Sequence, residues 1–258
     1  VVHVKQEVWY EREVTGNESY SERHDIFEGV LRVKSGGSLT LVNVTFNVAD
    51  NGNIIVEPGG LMNITDKDGD PSTGDGCLIN SSKADFIFRV EAEAAFHAAN
   101  SRFEWSHDFS LQVLSDEAHI ANSSFSSGRI ELYLEGDGCT VLGNVFGCDY
   151  CSLASKGDNK RIVGSTIANG VILVDGGSGN VVEENTVTNN EPRGHGLIFF
   201  FSQNTMARGN NVSSCYYGLM AISSSVTVEK CVFSDCKYGL LVAYSRVDAQ
   251  SCSFTNNT

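Results

Sequence analysis

One short line of sequence recurs along the chain: Val141-Leu-Gly-Asn-Val-Phe146, Val182-Glu-Glu-Asn-Thr-Val187, Val228-Glu-Lys-Cys-Val-Phe233 and Ala249-Gln-Ser-Cys-Ser-Phe254. Aligned on its last residue, it returns at Phe103, Phe125, Phe146, Ile167, Val187, Val212, Phe233 and Phe254, in steps of 22, 21, 21, 20, 25, 21 and 21. Five residues before each stands an apolar residue: Ala98, Ile120, Val141, Ile162, Val182, Ala207, Val228 and Ala249. Two residues before each stands a small hydrogen-bonding residue or a thiol: Ser101, Ser123, Asn144, Ser165, Asn185, Asn210, Cys231 and Cys252. A period near 21 without a helical stripe leaves few architectures. Leucine-rich repeats need a Leu-x-x-Leu-x-Leu line that is missing, and propeller blades need about twice the length. What fits is a solenoid of one turn per repeat, each turn about three short strands, with rungs stacked as parallel sheets about 4.8 Å apart.

Stacking gives each column a physical role. The Phe/Ile/Val column becomes an apolar stack inside the coil, each side chain covering the next. The Asn/Ser column falls at a bend, where a short polar side chain can bond backbone groups that the turn leaves unpaired. Gly196, Gly218 and Gly239 mark a second bend at intervals of 22 and 21, where glycine is expected to supply a positive φ. At about 21 residues and 4.8 Å per rung, 258 residues make one rod some 50 to 60 Å long rather than two domains.

The recurring V-x-x-N-x-F line, followed by a glycine and two apolar residues, resembles the right-handed parallel β-helix proteins, the fold of pectate lyases and of many archaeal and bacterial surface repeat proteins. The resemblance covers residues 84–258. It implies an all-β, right-handed single-stranded parallel β-helix. It implies no single function, since the family holds polysaccharide lyases, hydrolases, epimerases, adhesins and shell proteins. Residues 29–83 read as irregular first coils, with short strands between Ser-Gly-Gly and Pro-Gly-Gly turns. Residues 1–28, with Trp9, Tyr10, Tyr20 and Phe27 among charges, read as a cap over the hydrophobic end.

Charge narrows the partners. Eighteen Lys and Arg against 32 Asp and Glu leave a net charge of −14, which argues against nucleic acid and anionic lipid. The longest apolar run, Leu197 to Phe201, has five residues where a membrane span needs about 20. No secretory signal stands at the first residues, as in a mature product. Eight cysteines and seven Asn-x-Ser/Thr sequons, at Asn17, Asn43, Asn63, Asn80, Asn122, Asn211 and Asn256, point to an oxidising, extracellular or cell-surface location with glycosylation. The chain stops within a repeat at Thr258, so that end is expected to meet further sequence or another subunit, and end-to-end stacking would make a fibre.

The site candidates are local. Cys215 and Cys236, and likewise Cys231 and Cys252, stand one period apart, a rung spacing that a disulfide accepts. Cys77, Cys139, Cys148 and Cys151 are expected as disulfides of open pairing, with zinc as the alternative for four thiols. Asp66, Asp68, Asp70 and Asp75 alternate in a glycine-containing loop, an oxygen-rich pattern suited to calcium; a solvated turn is the plain alternative. No other cofactor is implied. The longest step of the repeat holds Glu191, Arg193 and His195, an acid/base group if the chain is an enzyme acting on polysaccharide. His195 stands one rung from Tyr217 and two from Tyr238, a candidate sugar platform. No paired Asp column appears in neighbouring rungs. The reading is therefore a surface scaffold, coat or adhesin that associates with itself or with other surface proteins; a β-helix lyase or glycosidase and a glycan-binding module are the rivals.

Overall fold

The computed structural model describes residues 6–22, 24–49, 52–70, 73, 75–81, 86–106, 108–189 and 194–258. Every strand pairing among them is parallel, and each joins segments about one repeat apart. One sheet of eleven strands runs the length of the molecule, from Asn17–Ser21 to Arg246–Gln250. The other two faces share one wrapped sheet of 18 strands. In the middle rungs a single long strand, such as Ser124–Leu134 or Val145–Lys156, bends across both of those faces. In the last rungs the same path is cut in two, as in Asn211–Ser213 and Tyr217–Ile222.

The three columns read from the sequence are vertical neighbours throughout. Phe103, Phe125 and Phe146 pair in register, and their rings lie parallel with centroids 4.7 and 4.8 Å apart. Ala98, Ile120, Val141, Ile162, Val182, Ala207, Val228 and Ala249 follow one another up the eleven-stranded sheet. Both columns are buried, except at the last rung. The Phe column also extends backwards, to Ile79 and then to Phe46, and the second of those steps is longer than any in the regular repeat. The longer step is taken up by a loop between the strands Leu61–Thr65 and Leu78–Ser81. Residues 6–21 already form a rung: Gln6–Val14 pairs with His24–Val33 and Asn17–Ser21 with Ser38–Val42. Solenoid pairing thus begins well before residue 29, inside the segment read as a cap.

The corners hold the rungs together. Asn144, Asn185 and Asn210 are buried, and each makes the same pair of bonds to the rung before it. The Oδ1 atoms accept the backbone N–H of Ser123, Ser165 and Asn185 at 2.9, 2.9 and 3.0 Å. The Nδ2 groups donate to the carbonyls of Ile120, Ile162 and Val182 at 2.9, 2.8 and 2.8 Å. These are backbone groups that the turn would leave buried and unpaired, at about 1–3 kcal/mol each. Asn257 repeats the arrangement at another corner, toward Cys236 and Phe233.

Just before each inward residue the backbone takes the left-handed conformation. Asn100, Asn122, Gly143, Gly164, Glu184, Gly209, Lys230 and Ser251 all have φ between 48° and 64°. Position, not residue type, imposes it, because the corner N–H must reach the next rung; Glu184 N donates to Arg208 O at 2.8 Å and Lys230 N to Gln250 O at 3.0 Å. The expectation for Gly196, Gly218 and Gly239 is corrected, for none of them has positive φ. They are glycine because there is no room. A Cβ on Gly218 would lie 2.7 Å from Gly239 O and 3.0 Å from the Phe233 ring, and one on Gly196 would lie 2.3 Å from the Val212 side chain.

Candidate functional site

On the outer face of the wrapped sheet, alternate residues of Asp108–Val113 and Ser124–Leu134 turn away from the core. The parallel register sets Asp108 beside Arg129 and Ser110 beside Glu131. Arg129 Nη2 donates to Glu131 Oε1 at 2.5 Å, and its guanidinium lies 5.5 Å from the centre of the Tyr150 ring one rung further on. These side chains, with Phe86 and Phe109, line a depression of about 320 Å³. A second depression of about 370 Å³ adjoins it across Ser110 and Glu131 and reaches Gln112, Tyr133 and Ser152. Two carboxylates flanking a guanidinium above aromatic rings can hydrogen-bond a hydroxyl-rich ligand, and a carboxylate pair is the equipment of glycosidic acid/base chemistry. Sequence reading missed this group, although Asp108 and Arg129 stand one period apart; scanning the outward positions of successive rungs for polar residues would have found it.

Another depression, of about 660 Å³, follows the neighbouring face, where Asn47, Asn80, Glu104 and Ser126 form one vertical polar row. Trp105 is buried at its edge.

Of the residues proposed for catalysis, Glu191 and Arg193 lie outside the described residues. His195 begins the strand His195–Phe200 and pairs with Tyr217, which pairs with Tyr238. The rings stack at 5.4 and 5.3 Å. Stacking turns their faces toward one another and leaves mainly edges for solvent, so a sugar would meet the ladder's rim rather than a flat platform. Burial pushes the His195 pKa down, favouring the neutral ring, and Nδ1 has no hydrogen-bond partner. Lys237 reinforces the ladder, its Nζ 4.6 Å from the Tyr216 ring centre and 3.3 Å from that residue's hydroxyl.

The acidic loop brings together three of its four aspartates. One carboxylate oxygen from each of Asp66, Asp68 and Asp75 lies within 4.8 Å of the others. Asp70 is held beside them by its backbone, its N–H donating to Asp68 Oδ1 at 2.9 Å and its carbonyl accepting the Thr73 hydroxyl at 2.8 Å.

The cysteines are placed by the corners. Cys148 and Cys151, three residues apart on one strand, form a disulfide with a Cα separation of 5.9 Å. The other six are free thiols. Cys215 with Cys236, and Cys231 with Cys252, are in rung register as their spacing required. Their thiols nevertheless bond as corner residues do, without disulfides. Cys231 Sγ donates to Ala207 O at 3.5 Å and Cys252 Sγ to Val228 O at 3.4 Å, one rung back, in the manner of Asn210. Cys215 and Cys236 donate to Ser213 O and Ser234 O at 3.2 and 3.3 Å. Cys77 stands in the same column as Asn144 and donates to Thr65 O at 3.2 Å. Cys139 occupies another corner, beside Lys160, and bonds Gly136 O at 3.1 Å. Of the four cysteines considered for zinc, Cys148 and Cys151 are thus joined to each other, and Cys77 and Cys139 stand at separate corners.

None of the seven sequon asparagines is buried: Asn17, Asn122, Asn211 and Asn256 are exposed, and Asn43, Asn63 and Asn80 half-buried. Asn43 is engaged, its Nδ2 donating to Asp75 Oδ2 at 3.2 Å and its Oδ1 accepting the Lys67 N–H at 2.9 Å. Among the described residues no helix is long and apolar enough to cross a membrane.

Compared with known families, residues 130–258 match the family model of a right handed beta helix region. No curated protein matches the chain.

Proposed function

The chain belongs to the right-handed β-helix family, and from that premise we propose that it is a structural rod of the cell surface or extracellular space, a scaffold, coat or adhesin subunit that associates with copies of itself. The observation that carries this reading is the corner ladder. The best-placed polar side chains, Asn144, Asn185, Asn210 and Asn257, face inward and bond each rung to the one before. A chain that commits its amides to rung cohesion gains stiffness along its axis. The disulfide and the accessible sequons support an extracytoplasmic location and glycosylation.

Sedimentation and electron microscopy of the native product test the reading. Concentration-dependent rods or lattices are expected; monomers at every concentration overturn self-association.

The Asp108, Arg129 and Glu131 group favours a second reading, a surface that binds or cleaves a polysaccharide. A screen over neutral and acidic polysaccharides for new reducing ends or unsaturated products distinguishes the two. Cleavage abolished by Glu131→Gln and Asp108→Asn would replace the scaffold reading with an enzyme, and glycan binding without cleavage, lost with Arg129→Ala, would make the rod a glycan-binding module.

A further inference from the structure

The loop between strands Leu61–Thr65 and Leu78–Ser81 carries more negative charge than its surroundings compensate. Asp66, Asp68 and Asp75 converge, and among the described residues no Lys or Arg forms an ion pair with any of them. The nearest lysine in sequence, Lys67, is bonded to Glu22 at 2.7 Å and acts on Asp75 only through space. Asp66 is the decisive residue. It is only 6% exposed, and its Oδ1 accepts the Asp68 N–H at 3.3 Å while its Oδ2, inaccessible to solvent, has no hydrogen-bond partner. An ionised carboxylate buried with an open oxygen is costly unless a cation meets it.

The remaining groups are arranged to hold the carboxylates in place. Asn43 Nδ2 and the Thr73 hydroxyl donate to the two oxygens of Asp75 at 3.2 and 2.5 Å, leaving further lone pairs free. Gly69, with φ of 72°, turns the chain between Asp68 and Asp70. We propose that Asp66, Asp68 and Asp75 bind one hard divalent cation, calcium, which fastens this loop over the Asn43 corner of the N-terminal coils. All three ligands are carboxylates, which excludes soft thiolate-seeking metals. A loop of this kind adapts to the six to eight oxygens that calcium gathers, whereas magnesium demands a near-ideal octahedron. Backbone carbonyls and water complete the shell.

The test uses the whole chain stripped with EDTA and passed into chelator-free buffer. Calcium chloride is titrated by calorimetry and the thermal midpoint is followed in parallel. One binding event with an upward shift of several degrees is expected, with magnesium giving less than half the shift. Asp66→Asn and Asp68→Asn should remove both the heat and the shift, while Asp149→Asn, outside the cluster, should keep them. Asp66→Asn also separates the alternatives. It relieves the buried charge, so its cation-free midpoint should equal or exceed that of the stripped wild type, which shows the variant is folded. No heat and no shift for the wild type, an equal response to magnesium, or a calcium shift that survives both Asp66→Asn and Asp68→Asn overturns the assignment.

Discussion

Asn210 Oδ1 accepts two hydrogen bonds from Asn185, one from its backbone N–H at 3.0 Å and one from its side-chain Nδ2 at 3.1 Å. These residues are adjacent in space across the longest step of the regular repeat. Asn210→Ala would leave the Asn185 N–H and the Val182 carbonyl buried without partners, a loss of about 3 kcal/mol at about 1–3 kcal/mol per group. Asn210→Cys should cost about half as much, since Cys231 fills the same column and reaches the equivalent carbonyl. Urea unfolding of the two variants checks the order, and equal losses would show that the amide adds nothing to what a thiol supplies.

Two glycines in neighbouring elements should respond oppositely. Gly209 has φ of 62°, a Cβ there would meet nothing nearer than the flexible Glu184 side chain at 3.4 Å, and its counterparts are Glu184 and Lys230, so Gly209→Asn is expected to change stability by less than about 0.5 kcal/mol. Gly218 has ordinary φ and no space, so Gly218→Ala should cost about 1–3 kcal/mol through displaced backbone and the Phe233 ring. Chemical denaturation of both variants measures the contrast.

Lys160 gives a pH signature. It is 1% exposed; its ammonium donates to Gly136 O and lies 4.0 Å from Asp137 Oδ1, and burial lowers its pKa from the ordinary 10.5. The unfolded chain keeps the proton up to that ordinary value, while the folded chain releases it earlier. In between, the unfolded state holds more protons, so this residue's contribution makes stability rise with pH, and the penalty is greatest below the folded pKa. The stability difference between wild type and Lys160→Met should therefore shift toward wild type as the pH rises toward the ordinary lysine value of 10.5. Parallel curves would mean that the lysine titrates alike in both states.

Thiol reactivity should divide the cysteines. Interaction with the Cys215 thiol one rung back holds Cys236 below the ordinary thiol range, while burial takes Cys77 up to about 11. Because the thiolate is the reactive form, pulsed alkylation with peptide mass spectrometry should label Cys236 well ahead of Cys77, which reacts only on unfolding. Cys148 and Cys151 should appear as one linked peptide. Labelling of Cys77 as fast as Cys236 would contradict the assignment.

The sites were less legible in the sequence than the fold. The register of Phe103, Phe125 and Phe146, and of Tyr217 with Tyr238, followed directly from spacing, because identical rungs put equal sequence positions over one another. Asp108, Arg129 and Glu131 escaped notice because an outward position accepts any polar residue, so no column marks it. The acidic run at Asp66 was visible, but the burial of one carboxylate among four was not; it depends on the loop folding back over the Asn43 corner.

By itself, the sequence determined the period, the inward columns and the single-rod architecture, since an apolar position that returns once in every repeat can be buried at every turn only by stacking. Tertiary structure decided what each corner requires. Glu184, Gly209, Lys230 and Ser251 share a backbone angle and no side-chain chemistry, so their common role is invisible in their letters. Gly196, Gly218 and Gly239 share a letter, but its cause is the neighbouring rung and the stacked Val212, Phe233 and Phe254 side chains that exclude a Cβ. The six free thiols follow the same logic: each corner turns an Sγ toward a backbone carbonyl, a constraint that exists only once the rungs are in place.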